Sequence, residues 1–301
     1  MKPAHALESL LVSAAFASLD RLSWPAALRS GAALGDAAHA LGIRREVARR
    51  NLALAFPERS AAERDALLAR HYRELGRVAA EYGRMPRLVA AADGEVVAGV
   101  EGLEPLRALA GRGLMLLTGH YGNFELLGAW LGRINPVDFL VQPLSNPAVE
   151  ARIERLRGAA GVGTISTRGG VKQVFKALRA GRWIALLADQ DARGRGVFVP
   201  FFGRLASTPE GPARLSLQTG APIVMGFPTR REDGRHHLVI EPPHWPEGGT
   251  DTESVRALTA WHTAKLEAQV RRAPEYWFWL HRRWKTSPPA LEAREGRHAS
   301  V

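Results

Sequence analysis

A chain of 301 residues is long enough for one large core, or for a core with a helical appendage, and its 46% hydrophobic content excludes an intrinsically disordered protein. The absence of cysteine excludes disulfides and cysteine catalysis and is compatible with a reducing compartment. Lysine and arginine number 41 against 30 acids, a net charge of +11 that suits phosphates, anionic lipid or an acidic carrier protein; a generally arginine-rich composition accounts for part of the same excess.

The chain begins with Ala6 to Leu19, apolar on one face through Leu7, Leu10, Leu11, Ala14, Ala15 and Leu19. Its charge-free run, 9–19, is shorter than the roughly 20 residues of a spanning helix, and it lacks the cleavage site of a signal peptide. The expectation is an amphipathic helix, lying on a bilayer or packed on the core. Leu22 to Leu41 predicts a second helix, interrupted at Pro25. An arginine cluster follows at 44–50, either a phosphate-holding patch or solvated surface. Ser60 and Glu63 form a capping-box pattern for a helix running to about Arg84, with Leu67, Leu68, Tyr72, Leu75 and Val78 on its inner side. Residues 1–90 thus read as a helical, membrane-facing region.

From residue 91 the pattern changes to alternating strands and helices. Strands are expected at Val96–Val100, Leu114–Thr118, Phe139–Gln142, Val162–Ser166 and Trp183–Ala188, with helices at Leu103–Gly111, Asn146–Arg157 and from Arg168 to Ala180. This alternation predicts an α/β fold with a mainly parallel central sheet flanked by helices. The run Gly196–Gly203 ends in a turn, and Ser207 or Thr208 is placed to cap a helix at Gly211–Thr219. Strands near Phe227 and at His236–Glu241 and a capped helix from Thr250 to Arg272 complete the core. Phe198, Phe201 and Phe202 suit an acyl channel or ordinary packing equally. The aromatic-basic stretch Pro274–Lys285 suits a membrane interface or a phosphate-bearing ligand, and 286–301 read as a disordered tail.

The stretch that carries chemistry is Leu114–Leu131. A short apolar strand ends in Gly119-His120-Tyr121-Gly122, Asn123 is placed to cap a helix, and Glu125 sits in its first turn, where the dipole favours a carboxylate. His120 therefore stands at the carboxyl end of a strand, where open α/β sheets place their ligands. A histidine followed five positions later by an acid offers a base and the carboxylate that orients it. The plainer alternative is a turn histidine bonded to the helix start. Asp189-Gln190-Asp191 follows another strand. Two acids offer a metal too few oxygens, so pairing with Arg157 or Arg168 is expected, and no metal. His236, His237, His244 and His281 show no metal-ligand spacing.

Asn51–Glu58, Gly119–Glu125, Ala188–Asp191, Val197–Gly203 with Ala206–Thr208, Gly220-Ala221 and Trp279–Lys285 stand in one order over residues of about 45 to 285. Together they resemble the lipid A late acyltransferases (lauroyl/myristoyl acyltransferases) of the lysophospholipid acyltransferase superfamily. The resemblance implies acyl transfer from an acyl-carrier-protein or coenzyme A thioester to a hydroxyl of a lipid A precursor or related glycolipid, at the cytoplasmic face of an inner membrane and without a cofactor. It implies catalysis by His120 and Glu125, and substrate contacts from Asn123, Arg157, Arg168, Asp189, Asp191 and Thr208. Backbone amides near Gly122 or a nearby arginine would stabilise the oxyanion. Relatives that acylate mannosylated phosphatidylinositol or ornithine lipids leave the acceptor open. A clear spanning segment, common near the start of this family, is absent from residues 1–40. Two rival readings are a nucleic-acid binder, whose signature would be steep salt-dependent DNA binding, and a catalytically silent membrane scaffold, indifferent to changes at His120 and Glu125; the sequence has no recognised nucleic-acid module, and no nucleic-acid partner is expected.

Overall fold

The structure is a computed structural model that describes Ala14 and residues 18–288. Nearly all of the expected first amphipathic helix, and the tail beyond Pro288, lie outside the described residues. The first described helices are α1 (Trp24–Ala40), α2 (Arg45–Ala55), α3 (Ala61–Tyr82) and α4 (Met85–Ala90). Pro25 stands in the first turn of α1, where its missing N–H costs nothing, so it starts this helix rather than interrupting it. The Ser60–Glu63 capping box opens α3 as the sequence predicts, with both reciprocal bonds made. Among the described residues no helix is long and apolar enough to cross a membrane.

The strands are β1 (Val97–Glu101), β2 (Leu114–Thr118), β3 (Val137–Val141), β4 (Gly163–Ser166), β5 (Trp183–Leu187), β6 (Val197–Phe201), β7 (Arg204–Thr208), β8 (Ile223–Arg230) and β9 (His236–Ile240). Seven of them form one sheet in the order β1-β9-β8-β2-β5-β3-β4. Every neighbouring pair in it is parallel except β8 and β9. The expected mostly parallel α/β sheet is therefore present. β2 lies at its centre, and Leu114 to Leu117 are buried, as an uninterrupted apolar run requires.

The helices between the strands are α5 (Leu103–Arg107), α6 (Phe124–Leu131), α7 (Pro147–Ala159), α8 (Val171–Arg179) and α9 (Gly211–Thr219), with α10 (Thr252–Arg272) after the last strand. One core cluster joins Met115, Leu117, Ile184 and Met225 of the sheet to α2, α3 and α10. A second holds Leu116, Val224 and Phe139 beneath Leu126, Leu127 and Leu131 of α6. β6 and β7 form a separate antiparallel hairpin turning at Phe202-Gly203. Ser207 and Thr208 lie in this hairpin, so neither caps α9, whose N-cap is Glu210 without a side-chain cap bond. Phe201 and Phe202 pack against Trp277, Trp279 and Trp284, which assigns these two phenylalanines to the core.

After α10 the chain runs back across the carboxyl ends of the strands as a strap, 276–286. Residue Tyr121 bridges to Trp277, Gly122 N–H donates to the Tyr276 carbonyl at 2.8 Å, and Phe278 N–H donates to the His120 carbonyl at 2.9 Å. The N-terminal helices hold the strap from its other side. Asn51 Nδ2 donates to the Trp279 and His281 carbonyls, and Arg44 Nε to that of Leu280.

Candidate active site

The register of β2 and β5 sets the centre of the site. Thr118 pairs with Leu187 in parallel, and His120 and Asp189 each follow by two residues. Adjacent parallel strands lie ~4.8 Å apart, so equal offsets bring the two side chains to the same end of the sheet. His120 Nδ1–H donates to Asp189 Oδ1 at 2.7 Å, and His120 N–H to Oδ2 at 2.8 Å. Gly119 permits this approach, because a Cβ there would stand 2.9 Å from Asp189 Oδ2. Gly122, at φ +52°, makes the turn that aims the ring, and a Cβ there would lie 2.2 Å from the Pro228 carbonyl oxygen.

This arrangement corrects the expectation that Glu125 orients His120. Glu125 projects from the first turn of α6 toward α7, where its carboxylate takes both Nε and Nη2 of Arg157, the first at 3.0 Å. The pair is nearly enclosed, with 12% of the arginine and 7% of the glutamate side chain exposed. Tyr82 receives a hydrogen bond from the same guanidinium at 3.4 Å. The expected pairing of Arg157 or Arg168 with the acids at 189 and 191 is corrected too. Asp189 belongs to His120 and to Trp277, whose Nε1–H donates to Oδ2 at 2.8 Å. Asp191 accepts from the Thr286 hydroxyl at 2.9 Å, and its backbone N–H donates to His281 Nε2 at 3.0 Å.

Burial disfavours a charged His120, but the charge and hydrogen bond of Asp189, together with the nearby charge of Glu125, outweigh it and raise its pKa. Burial likewise opposes ionisation of Asp189, yet His120 and the Trp277 N–H hold its carboxyl below the usual range. With the Nδ1 proton fixed on Asp189, the lone pair of neutral His120 is on Nε2. That atom faces a cavity of about 930 Å³, with the Gln190 amide nitrogen 3.2 Å away.

The cavity extends from His120 beneath α6 along one face of the sheet. Its floor is Phe139, Ala185, Leu116 and Val224, successive residues of one row across β3, β5, β2 and β8. Leu127, Gly128 and Leu131 of α6 form its roof. Glu125, Arg157, Arg168 and Asp191 also line it. Three of the expected substrate residues do not. Asp189 stands behind His120. Asn123 caps α6, accepting from Leu126 N–H at 3.0 Å, while its Nδ2 donates to Glu81 at 2.9 Å. Glu81 is buried and bound by Arg230 and His236, so Asn123 is anchored away from the cavity. Thr208 donates to the Ala206 carbonyl and accepts from buried Arg283. Of the backbone amides near Gly122 expected as oxyanion donors, that of Gly122 itself is committed to the Tyr276 carbonyl.

Sequence reasoning missed Gln190 and Trp277 as members of the site. Gln190 stands between Asp189 and Asp191, and nothing in the sequence distinguishes an amide there from its acidic neighbours as a ligand of His120. Trp277 sits in an aromatic run, and only the bridge between the strap and the His120 turn singles it out from its neighbours.

The sequence matches the family described as bacterial lipid A biosynthesis acyltransferase over residues 2–286. It is 31% identical to a lipid A biosynthesis lauroyltransferase of Escherichia coli K12 over 282 residues, covering 91% of this chain and 90% of that one. It is 30% identical to a lipid A biosynthesis palmitoleoyltransferase of the same organism over 273 residues, 89% and 88% of the two chains. A phosphatidylinositol mannoside acyltransferase of Mycolicibacterium smegmatis is 30% identical over 185 residues, 58% of each.

Proposed function

Because the chain belongs to the bacterial lipid A biosynthesis acyltransferase family, an enzyme family of acyl transfer, we propose that it moves a fatty acyl group from a thioester to a hydroxyl of a lipid A precursor or related glycolipid. The observation that carries this reading is a histidine locked by Asp189 through Nδ1, with its Nε2 met by the Gln190 amide at the end of a largely apolar cavity. Nε2 takes the proton of the acceptor hydroxyl as its oxygen attacks the thioester carbonyl. Asp189 fixes the tautomer and stabilises the imidazolium. The incoming hydroxyl displaces the Gln190 amide from Nε2, leaving that N–H beside the carbonyl oxygen, where it can donate to the oxyanion. The tetrahedral intermediate collapses, the C–S bond breaks, and the imidazolium returns its proton to the leaving thiolate. The step needs no covalent acyl-enzyme and no cofactor.

The apolar row beneath α6 suits the acyl chain. Arg157 and Arg168 on the walls suit acidic groups of acceptor or donor, with acyl carrier protein the expected donor. Association with the membrane surface is supported by Leu34, Leu41 and Ile43, exposed by 57%, 79% and 50% in and after α1, next to the arginines of α2.

The test is transfer from labelled acyl-carrier-protein and coenzyme A thioesters into envelope lipid, with mass spectrometry of the product. Labelling of a lipid A precursor that disappears in His120→Ala supports the proposal. Label in a mannosylated phosphatidylinositol or ornithine lipid moves the acceptor. Transfer that survives His120→Ala removes His120 as the base.

A further inference from the structure

The strap across the site carries an unassigned contact to its acid. Asp189 is buried, with 4% of its surface exposed, and its two oxygens are used unequally. Among the described residues Oδ1 is hydrogen-bonded only to the His120 ring, whereas Oδ2 accepts from the His120 amide and from Trp277 Nε1–H. The indole is 1% exposed and immobilised. Trp279 packs edge-on at 4.6 Å between centroids, Phe201 at 5.3 Å, and the backbone of the strap is tied to Tyr121 and His120 on either side. A phenylalanine would fill most of this aromatic nest. What it would lack is the N–H aimed at a buried carboxylate.

We propose that Trp277 is a positioning residue for the His120–Asp189 pair: its indole N–H pins Oδ2, so that Oδ1 is the oxygen presented to the His120 ring. The proposal rests on the reading of His120 as the base, and Trp277 itself does not line the cavity. Without the indole donor, one backbone N–H alone would hold Oδ2, and the carboxylate could turn about its Cβ–Cγ bond. The donor also sets electrostatics. Its positive end stabilises the pair carrying neutral His120 and ionised Asp189, net −1, more than the pair carrying imidazolium, net zero. Removing it therefore makes His120 harder to deprotonate.

The test replaces the N–H without the ring. Trp277→Phe is the simple variant. Site-specific 3-benzothienylalanine at 277 keeps the size and shape of indole and replaces N–H by sulfur, which keeps the test available if Trp277→Phe fails to fold. Two quantities are read: kcat and KM for acyl transfer against pH, and the titration of His120 by NMR of ¹⁵N-histidine-labelled protein. The expected result is a fall in kcat of about tenfold at neutral pH with KM unchanged. The acid limb and the His120 titration should move upward together by roughly half to one pH unit. A folded benzothienyl protein whose profile and His120 titration superimpose on those of wild type overturns the proposal. The NMR arm needs no turnover. Failure of the wild type to transfer acyl groups would thus sink the functional reading while the Trp277–Asp189–His120 linkage was still tested.

Discussion

Asp189→Asn separates the geometry found here from the His-x4-acid reading with a single change. The carboxylate is nearly isosteric with the amide, so size is preserved. Hydrogen-bond polarity is not. Oδ2 receives two donors, the His120 amide and the Trp277 indole, both at 2.8 Å. In the variant this position must hold the carbonyl oxygen, since an NH2 there would face two other N–H groups. The NH2 is then driven to the place of Oδ1, against His120 Nδ1. Nδ1 must accept, its proton moves to Nε2, and the lone pair proposed to take the acceptor proton is lost. The same trapped tautomer in serine-protease triads costs about 10⁴ in kcat, or about 5.5 kcal/mol of barrier. We expect a loss of that order in transfer from an acyl thioester, with little change in KM and a folded protein. ¹⁵N chemical shifts of His120 would report the inverted tautomer directly. A variant that keeps activity within about tenfold of wild type would refute the reasoning and return the orienting role to Glu125.

Glu125→Gln should behave differently: it removes the charge that pairs the nearly enclosed Arg157 guanidinium, so we expect a loss of about 3 kcal/mol in denaturant unfolding, with His120 keeping its Nδ1–H tautomer. An inverted tautomer in that variant would contradict the assignment. As the proposed base, His120 must be neutral, and its pKa is raised, so kcat/KM should climb with pH through a midpoint above 6.5; Glu125→Gln should lower that midpoint, because the Glu125 charge is one of its causes. A midpoint at or below 6.5 in wild type would count against Asp189 as the partner. Gly122→Ala forces φ +52° on an alanine and drives its Cβ against the Pro228 carbonyl, so a destabilisation of about 2 kcal/mol or more in urea, with activity lost, is expected; a variant as stable as wild type would show that the turn tolerates a side chain.

Much of the fold is legible in the sequence because its signals are local. The apolar run Leu114–Thr118, the Ser60–Glu63 box and the Asn123 cap each involve residues a turn or less apart, and each appears where expected. His120 is legible for the same reason. Its partner is not. Glu125 is near in sequence but on the far side of a helix start, whereas Asp189 is 69 residues away and one strand over. Only the β2–β5 register joins them. Asp189 and Asp191 illustrate the same limit: the spacing gives two acids, and the direction each side chain takes is settled by the strap, through Trp277 and Thr286. Pro25 and Thr208 show composition misleading about position. A proline suits a first helical turn as well as a break, and a threonine before a helix is not its cap when the preceding strand extends through it.

The strap has a consequence for how the molecule comes into being. Translation produces the His120 turn and the Asp189 strand end long before residues 276–286 emerge. Until then Gly122 N–H, Asp189 Oδ2 and the Asp191 backbone lack the partners that the strap supplies. Asn51 and Arg44, made early, wait for carbonyls of Trp279, Leu280 and His281, made more than 200 residues later. An early helix and the late strap thus close on the site together, in contacts that span more than 200 residues. Completion of the sheet alone therefore leaves the His120–Asp189 pair without its Trp277 contact, and the strap is the part whose synthesis completes the site.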